Sequence, residues 1–218
     1  MSSNKILSEI NAISQKIDID KIKYYGILEE YPIPDIIDFE WKNILNKPPE
    51  NSSAQTYKEL LEIYNLSLSR SKQDIEFVYT IDRDPNKYLY DYLEKQKIEF
   101  PREEFDILYN IIKPILLNIK SIYNRPRPYQ LGIFYGLNIE ILESETHHTP
   151  SYPSGHVVYT SLAANMIKKY YPKITQKIDN IVNMTGLARM IQGVHYKSDV
   201  IAGNKLATIL YTKLAGGK

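Results

Sequence analysis

The chain has 218 residues, with 27 Lys and Arg against 26 Asp and Glu, so its formal net charge of +1 gives no global field to attract nucleic acid or an anionic membrane. It has no cysteine, which excludes disulfides and thiolate zinc sites. Hydrophobic residues make up 43% and charged residues 24%, a globular balance, and no segment approaches the ~20 consecutive apolar residues of a membrane span. The opening MSSNKILSEINAISQKIDID lacks the apolar run of a signal peptide, so the cytoplasm is the expected location.

The dominant period is helical. Ile6, Ile10, Ile13 and Ile17 mark one face of a first helix. The prolines of YPIPDIIDF break the pattern, and KPPENSS forms a loop from which Ser52 or Ser53 can cap a helix carrying Tyr57, Leu60, Leu61 and Tyr64. Residues 75–81 read as helix, and the next helix is expected to hold Pro85 in its first turn. Pro101 opens a longer one with Leu108, Ile111, Ile112, Ile115 and Ile119 inward, kinked at Pro114 and stopped by NRPRPYQLG. Residues 129–150 show no helical period and read as irregular. Helices then follow His156, run from Pro172 to about Arg189, and run from about Lys197 to Leu214, with Gly216 and Gly217 ending the last. There is no internal repeat or linker. The expectation is a single all-α domain over residues 1–218, with its motif-bearing core at about 101–215.

Three clusters carry unusual chemistry. In KSIYNRPRP, Lys120 and Arg127 flank Arg125. Pro126 and Pro128 break the helix, which puts Lys120 in its last turn and Arg127 on a rigid extended exit. Alone, such cations suit a helix C-terminus and its dipole. The basic run is short and flanked by acidic residues, which argues against a nucleic-acid patch. In PSGH, a turn feeds a helix whose first N–H groups form an anion site. Gly155 lets the backbone approach an anion, Ser154 adds a hydroxyl or simply caps the helix, and His156 can exchange a proton at the anion's edge. In ARMIQGVHYKSD, Gly193 breaks the chain between Arg189 and His195, and one helical turn can bring Asp199 to the His195 imidazole. A carboxylate on Nδ1–H fixes the tautomer and frees Nε2 as nucleophile or ligand. A surface His–Asp pair is the ordinary alternative. Together the clusters supply anion binders and two histidines, an inventory that fits attack on phosphate.

The order Lys120–Arg127–Pro128, then Pro153–Ser154–Gly155–His156, then Arg189–His195–Asp199 resembles the three-part signature of the phosphatidic acid phosphatase type 2/haloperoxidase superfamily. The wordings SYPSGH and ARMIQGVHYKSDVIAG are most similar to soluble bacterial class A, or non-specific, acid phosphatases. The resemblance covers roughly residues 115–210 and implies an all-α, single-domain helical bundle of the acid phosphatase/vanadium haloperoxidase type. It implies that His195 attacks phosphorus and becomes a phosphohistidine, that Asp199 orients it, and that His156 protonates the leaving oxygen and then activates water. Lys120, Arg127, Arg189, Ser154 and the Gly155 N–H would bind the phosphoryl oxygens. No metal or other cofactor is required, although vanadate could occupy the phosphate site. Arg125 falls outside the matched pattern and is expected to matter less. Ala188 replaces the serine usual before the motif's arginine, which removes one supporting hydroxyl.

Rival readings differ in chemistry. A metal-dependent hydrolase would need histidine ligands, but His147 and His148 are adjacent in a polar loop and read as surface residues. Three nearby cations would also repel a divalent ion. A vanadium-dependent haloperoxidase could use the same pocket, though this chain is shorter than those enzymes usually are. A non-catalytic phosphate-binding module would not need both histidines and Asp199. The expected partner is a small-molecule or lipid phosphate, possible leaving groups including nucleotides, sugars, phenols and prenyl diphosphates. Tyr123, Tyr129 and Tyr152 are candidates for the substrate mouth, with buried packing their commoner role. Self-association into a homo-oligomer is a further expectation from the soluble relatives.

Overall fold

The computed structural model describes residues 18–26, 28 and 31–216, so the helix expected over Ile6 to Ile17 lies outside them. The described residues form helices and no strands. After a short turn of 3-10 helix at Ile19–Lys21 come α1 (Ala54–Leu68), α2 (Lys72–Arg83), α3 (Lys87–Lys95) and α4 (Arg102–Tyr123). They are followed by α5 (Pro128–Gly132), α6 (Gly155–Tyr170), α7 (Thr175–Ile191) and α8 (Lys197–Ala215).

The helix starts follow from local chemistry. Ser53 caps α1 by accepting a hydrogen bond from the Thr56 N–H at 3.1 Å. Ser71 and Asp74 cap α2 reciprocally, each side chain accepting from the other's backbone N–H. Pro85 does not enter α3, which begins after Asn86; Pro85 serves as the preceding stop. Pro114 is accommodated inside α4. The stretch read as irregular contains α5 and a turn of 3-10 helix at Ile133–Tyr135, because Pro128 sets the first φ of α5 and Gln130 caps its start. Pro172 opens only a 3-10 turn, and α7 proper starts at Thr175.

Helix α6 is the centre of the fold. It packs against α7 and α8 and also touches α4, while α2 lies on α7. Its buried Val157, Val158, Leu162, Ala163 and Ile167 join Ile112, Ile115 and Ile119 of α4, Ile178 and Ile181 of α7, and Leu206 and Leu210 of α8. Burial of each large side chain contributes about 1.5–3 kcal/mol. A smaller cluster joins α1 to α5 through Leu60, Ile63 and Leu131.

The α6–α8 crossing is tight at one point. A Cβ on Gly203 would stand 2.7 Å from the Ser154 carbonyl and 3.2 Å from Val157 Cβ, so only glycine lets α8 pass the start of α6. Gly203→Val is therefore expected to destabilise the fold by about 1–3 kcal/mol, by overpacking. Urea denaturation would show it as a lowered midpoint at unchanged slope; an unchanged midpoint would contradict the tight crossing.

Candidate active site

The motif residues come together because three chain reversals aim at one place. At the end of α4, Asn124 takes the left-handed conformation, φ 44°, which asparagine tolerates better than most residues. It leaves Lys120 buried in the last helical turn and sends Arg127 out on extended backbone, φ −68° and ψ 155°, as the sequence spacing requires. Gly193, at φ 87°, turns the chain from α7 towards His195, a conformation that costs glycine little. Gly155 opens α6 with Ser154 in the cap position.

Two local expectations are corrected. Ser154 does not cap α6 with its side chain; its Oγ is buried and has no hydrogen-bond partner, while its N–H donates to the Asp199 carbonyl at 3.0 Å. His195 and Asp199 are not a pair one turn apart within a helix. His195 precedes the cap residue Tyr196, and Asp199 is the third residue of α8. The Asp199 carboxylate reaches back as a helix cap, with Oδ2 accepting from the Tyr196 N–H at 3.0 Å and lying 3.2 Å from His195 Nδ1.

Lys120, Arg127, Gly155, His156 and His195 line a single cavity of about 410 Å³. Asp199, Ser154 and Arg189 are buried beside it and do not line it. Arg127 is held by the Thr149 and Val194 carbonyls, both at 2.8 Å, and its Nη1 lies 2.9 Å from His195 Nε2. Lys120 Nζ donates to the Pro150 carbonyl at 2.5 Å. Arg189 donates to the Asp82 carboxylate and, through Nη2, to Thr146 Oγ1 at 3.2 Å; its Nε is buried without a partner.

This geometry assigns the His195 tautomer. A guanidinium only donates, so the Nε2 facing Arg127 must be the accepting nitrogen. Nδ1 then carries the proton and donates it to Asp199. Burial, followed by the charges of Arg127, Lys120 and Arg189, holds the imidazole well below its usual pKa. Burial and then Arg189 depress His156 to about 3, against the opposing pull of Asp82. Burial and then Arg127 push Lys120 well below the ordinary lysine range, while Arg127 falls to about 10 through burial and the nearby Arg189. The pocket therefore favours neutral imidazoles and resists further positive charge.

Sequence reasoning missed several of its neighbours. Asp82, from α2, stands with Oδ1 3.7 Å from His156 Nε2 and pairs with Arg189. His156 thus has an acidic neighbour, although none lies near it in the chain. Nothing in the sequence around Asp82 announces this, because packing of α2 on α7 delivers it. Tyr109 and Tyr159, with Leu116 and Leu117, form the cavity's less polar wall, and Lys113 stands beside them. Tyr123 and Tyr152 instead pack edge to face and donate to the Leu45 and Asn46 carbonyls, while Tyr129 sits against His147. His147 is not a surface residue; it is 5% exposed, whereas His148 is exposed. Ala188 packs with Val78, Ile81 and Ile191, so its methyl meets an apolar surface where a hydroxyl would lack an evident partner. Arg125, outside the matched pattern, is 2% exposed and donates through Nη1 to Asp199 Oδ1 at 2.6 Å. No group of three or more His, Cys, Asp or Glu side chains arranged to hold a metal ion occurs among the described residues.

The sequence model of the PAP2 superfamily matches residues 106–214. Over 120 residues the chain is 29% identical to a non-specific acid phosphatase of Salmonella typhi, covering 51% of this chain and 46% of that protein. Over 99 residues it is 31% identical to a non-specific acid phosphatase of Salmonella typhimurium (strain LT2), covering 44% of this chain and 38% of the relative. The match thus spans less than half the length of either phosphatase. Among solved structures, a bacterial vanadium-dependent iodoperoxidase superposes with a TM-score of 0.62 at 17% identity, over 96% of this chain and 65% of that one. A transmembrane PAP2-type phosphatidylglycerolphosphate phosphatase from Bacillus subtilis gives 0.54 at 17% identity, over 75% and 86% respectively. Both share the helical fold. No helix among the described residues is long and apolar enough to cross a membrane.

The depressed Lys120 and His156 predict proton-linked anion binding. A dianion raises both pKa values, so binding takes up protons and its affinity falls as pH rises through the bound-state values. Sulfate does not itself titrate near neutrality and isolates the protein's contribution. Calorimetry in buffers of different ionisation enthalpy is expected to show net proton uptake. Sulfate binding with no proton exchange between pH 5 and pH 9, taken as roughly the span of interest, would contradict the assignment.

Proposed function

The chain belongs to the PAP2 superfamily, and on that premise we propose that it is a phosphatase that hydrolyses phosphate monoesters through a phosphohistidine at His195, without a metal. The observation that carries this reading is the fixed imidazole: Nδ1 on Asp199 at 3.2 Å, and Nε2 turned to the cationic pocket, 2.9 Å from Arg127. Lys120 and Arg127, with the first-turn N–H of Gly155, suit a tetrahedral dianion. The orphaned Ser154 Oγ and Arg189 Nε add two buried donors with no protein acceptor.

In the proposed reaction the Nε2 lone pair forms a bond to phosphorus as the ester P–O bond breaks. The departing electron pair goes to the leaving oxygen, which takes a proton from His156. His156 is neutral in the empty site, and the incoming dianion is what raises its pKa enough to supply that proton. The positive charge that develops on the phosphorylated imidazole is met by Asp199. Neutral His156 then removes a proton from water, whose oxygen attacks phosphorus. The P–N bond breaks, its electrons return to Nε2, and inorganic phosphate leaves with His156 again protonated. Asp82 is placed to steady His156 and to hold Arg189 until a phosphoryl oxygen competes for it.

The leaving group would lie against Tyr109, Tyr159, Leu116 and Leu117, with Lys113 nearby, a wall suited to a partly apolar body such as a phenol, a nucleoside or a lipid. Lipid phosphates and diphosphates therefore stand beside small monoesters as candidate substrates. The names of the two acid phosphatases and of the phosphatidylglycerolphosphate phosphatase agree with that range.

Metal independence predicts that activity on p-nitrophenyl phosphate survives EDTA and is inhibited competitively by vanadate. Loss on chelation, restored by zinc or magnesium, would reject the mechanism.

The two histidines are separable. His195→Ala should abolish turnover and the covalent intermediate together. His156→Ala should cripple turnover of alkyl phosphates by about 100-fold or more, yet spare more of the first step with an activated phenol, which departs with little protonation. Rapid quenching of labelled substrate into alkaline detergent preserves phosphohistidine for counting. A phosphoenzyme trapped on the His195→Ala protein, but never on wild type or His156→Ala, would mean that the roles are reversed.

A further inference from the structure

Behind the reacting imidazole lies a buried ionic cluster that reaches outside the segment matched by the superfamily. Glu59 belongs to α1 and is 6% exposed. Oε1 accepts from the Ser198 N–H at 3.1 Å and from Gln55 Nε2 at 3.2 Å, while Oε2 accepts from Ser198 Oγ at 2.6 Å. Arg125 Nη2 stands 3.5 Å from the same Oε2. Arg125 Nη1 donates to Ser198 Oγ at 2.7 Å and to Asp199 Oδ1 at 2.6 Å, and its guanidinium lies 3.8 Å from the centre of the Tyr196 ring. The bonds converge on Asp199, His195 donating to one of its oxygens and Arg125 to the other, while a second line runs from Arg125 through the Ser198 hydroxyl to Glu59.

We propose that Glu59 is a positioning residue for His195, acting through Arg125, Ser198 and Asp199. The inference rests on the proposed role of His195 as nucleophile. Its physical basis is charge balance in a region sealed from water. Arg125 alone would neutralise Asp199 and draw its electron density away from the imidazole. Glu59 offsets Arg125, so the triad keeps one net negative charge and Asp199 retains its strength as an acceptor for Nδ1–H. Ser198 locks the geometry, because its hydroxyl accepts from Arg125 and donates to Glu59. Arg125 is thereby held against both carboxylates, and Asp199 cannot rotate without breaking bonds at both of its oxygens.

The charged groups facing His195 are Lys120 from α4, Arg127 before α5, His156 from α6, Arg189 from α7 and Asp199 from α8, with Asp82 from α2 against Arg189 and His156. All remain in the test variants. Glu59→Gln makes the triad neutral and should lower the pKa of His195. Arg125→Gln leaves two negative charges and should raise it. The double variant restores one negative charge and should return it towards wild type. These opposite shifts would be read from the acid limb of kcat/KM for p-nitrophenyl phosphate and, independently of any turnover, from NMR titration of ¹⁵N-labelled histidine. Glu59→Gln is also expected to lower kcat on the order of 10- to 100-fold, the range common for residues that orient a reacting group from behind, with KM little changed.

A purely structural Glu59 would lower activity without moving the His195 titration, or would move it in the same direction as Arg125→Gln; either result overturns the proposal. Should Arg125→Gln fail to fold, the downward shift in Glu59→Gln alone decides the question. If the protein turns over no phosphate ester while the NMR shifts appear as described, the relay stands and the phosphatase reading fails.

Discussion

The structure depends on a carboxylate that water cannot reach. Asp199 has no exposed surface, and a lone buried carboxylate costs several kcal/mol. It is tolerated because its oxygens are fully engaged, by Arg125 on one side and by His195 and the Tyr196 N–H on the other. Its backbone carbonyl also accepts the Ser154 N–H, which ties the start of α8 to the start of α6. One residue thus draws together the exit from α4, the entry to α6 and the chain leaving α7. Removing any partner would strand a buried charge, so the three segments constrain one another.

The same scarcity of water explains the balance of charge around the cavity. Lys120, Arg127 and Arg189 crowd a space that solvent does not screen, and each is pulled towards its neutral form mainly by burial. The fold offsets only part of that charge, through Asp82 on Arg189, and supplies carbonyls rather than carboxylates to Lys120 and Arg127. The charge left unbalanced faces the cavity, which is the arrangement that would favour an anion there. On the far side of His195 the balance reverses, with two carboxylates facing one arginine. The imidazole therefore sits between a cationic pocket and an anionic support, which orients its lone pair towards the pocket.

The early helices matter to this arrangement although they lie outside the segment that matches the PAP2 superfamily. Helix α1 contributes Glu59 beneath Asp199, and α2 contributes Asp82 beside Arg189 and His156. Both carboxylates arrive through packing, α1 and α2 each lying against α7. The site is thus assembled from two halves of the chain, with the cations and histidines supplied by one half and much of their electrostatic setting by the other.

What the sequence determined by itself is what depends on spacing along the chain. The prolines around Arg127 dictate an extended exit from α4, so local torsional limits alone place Lys120 at a helix end and Arg127 in the loop beyond it. The Gly155 and His156 turn had to open a helix, and four residues of separation kept Asp199 close enough to meet His195, although the contact is made by a helix cap rather than along a helix face. Tertiary structure decided what depends on contacts between distant segments. It made Arg125 an internal counterion, because only tertiary packing brings Glu59 of α1 and Asp199 of α8 to it. It gave His156 an acidic neighbour from a helix more than seventy residues upstream. It chose Tyr109 and Tyr159 over Tyr123 and Tyr152 for the cavity wall, since the α4–α6 contact decides which tyrosines meet the opening. Local rules see torsion angles and nearest neighbours; the pairing of buried charges is settled only when the whole chain has excluded water from them.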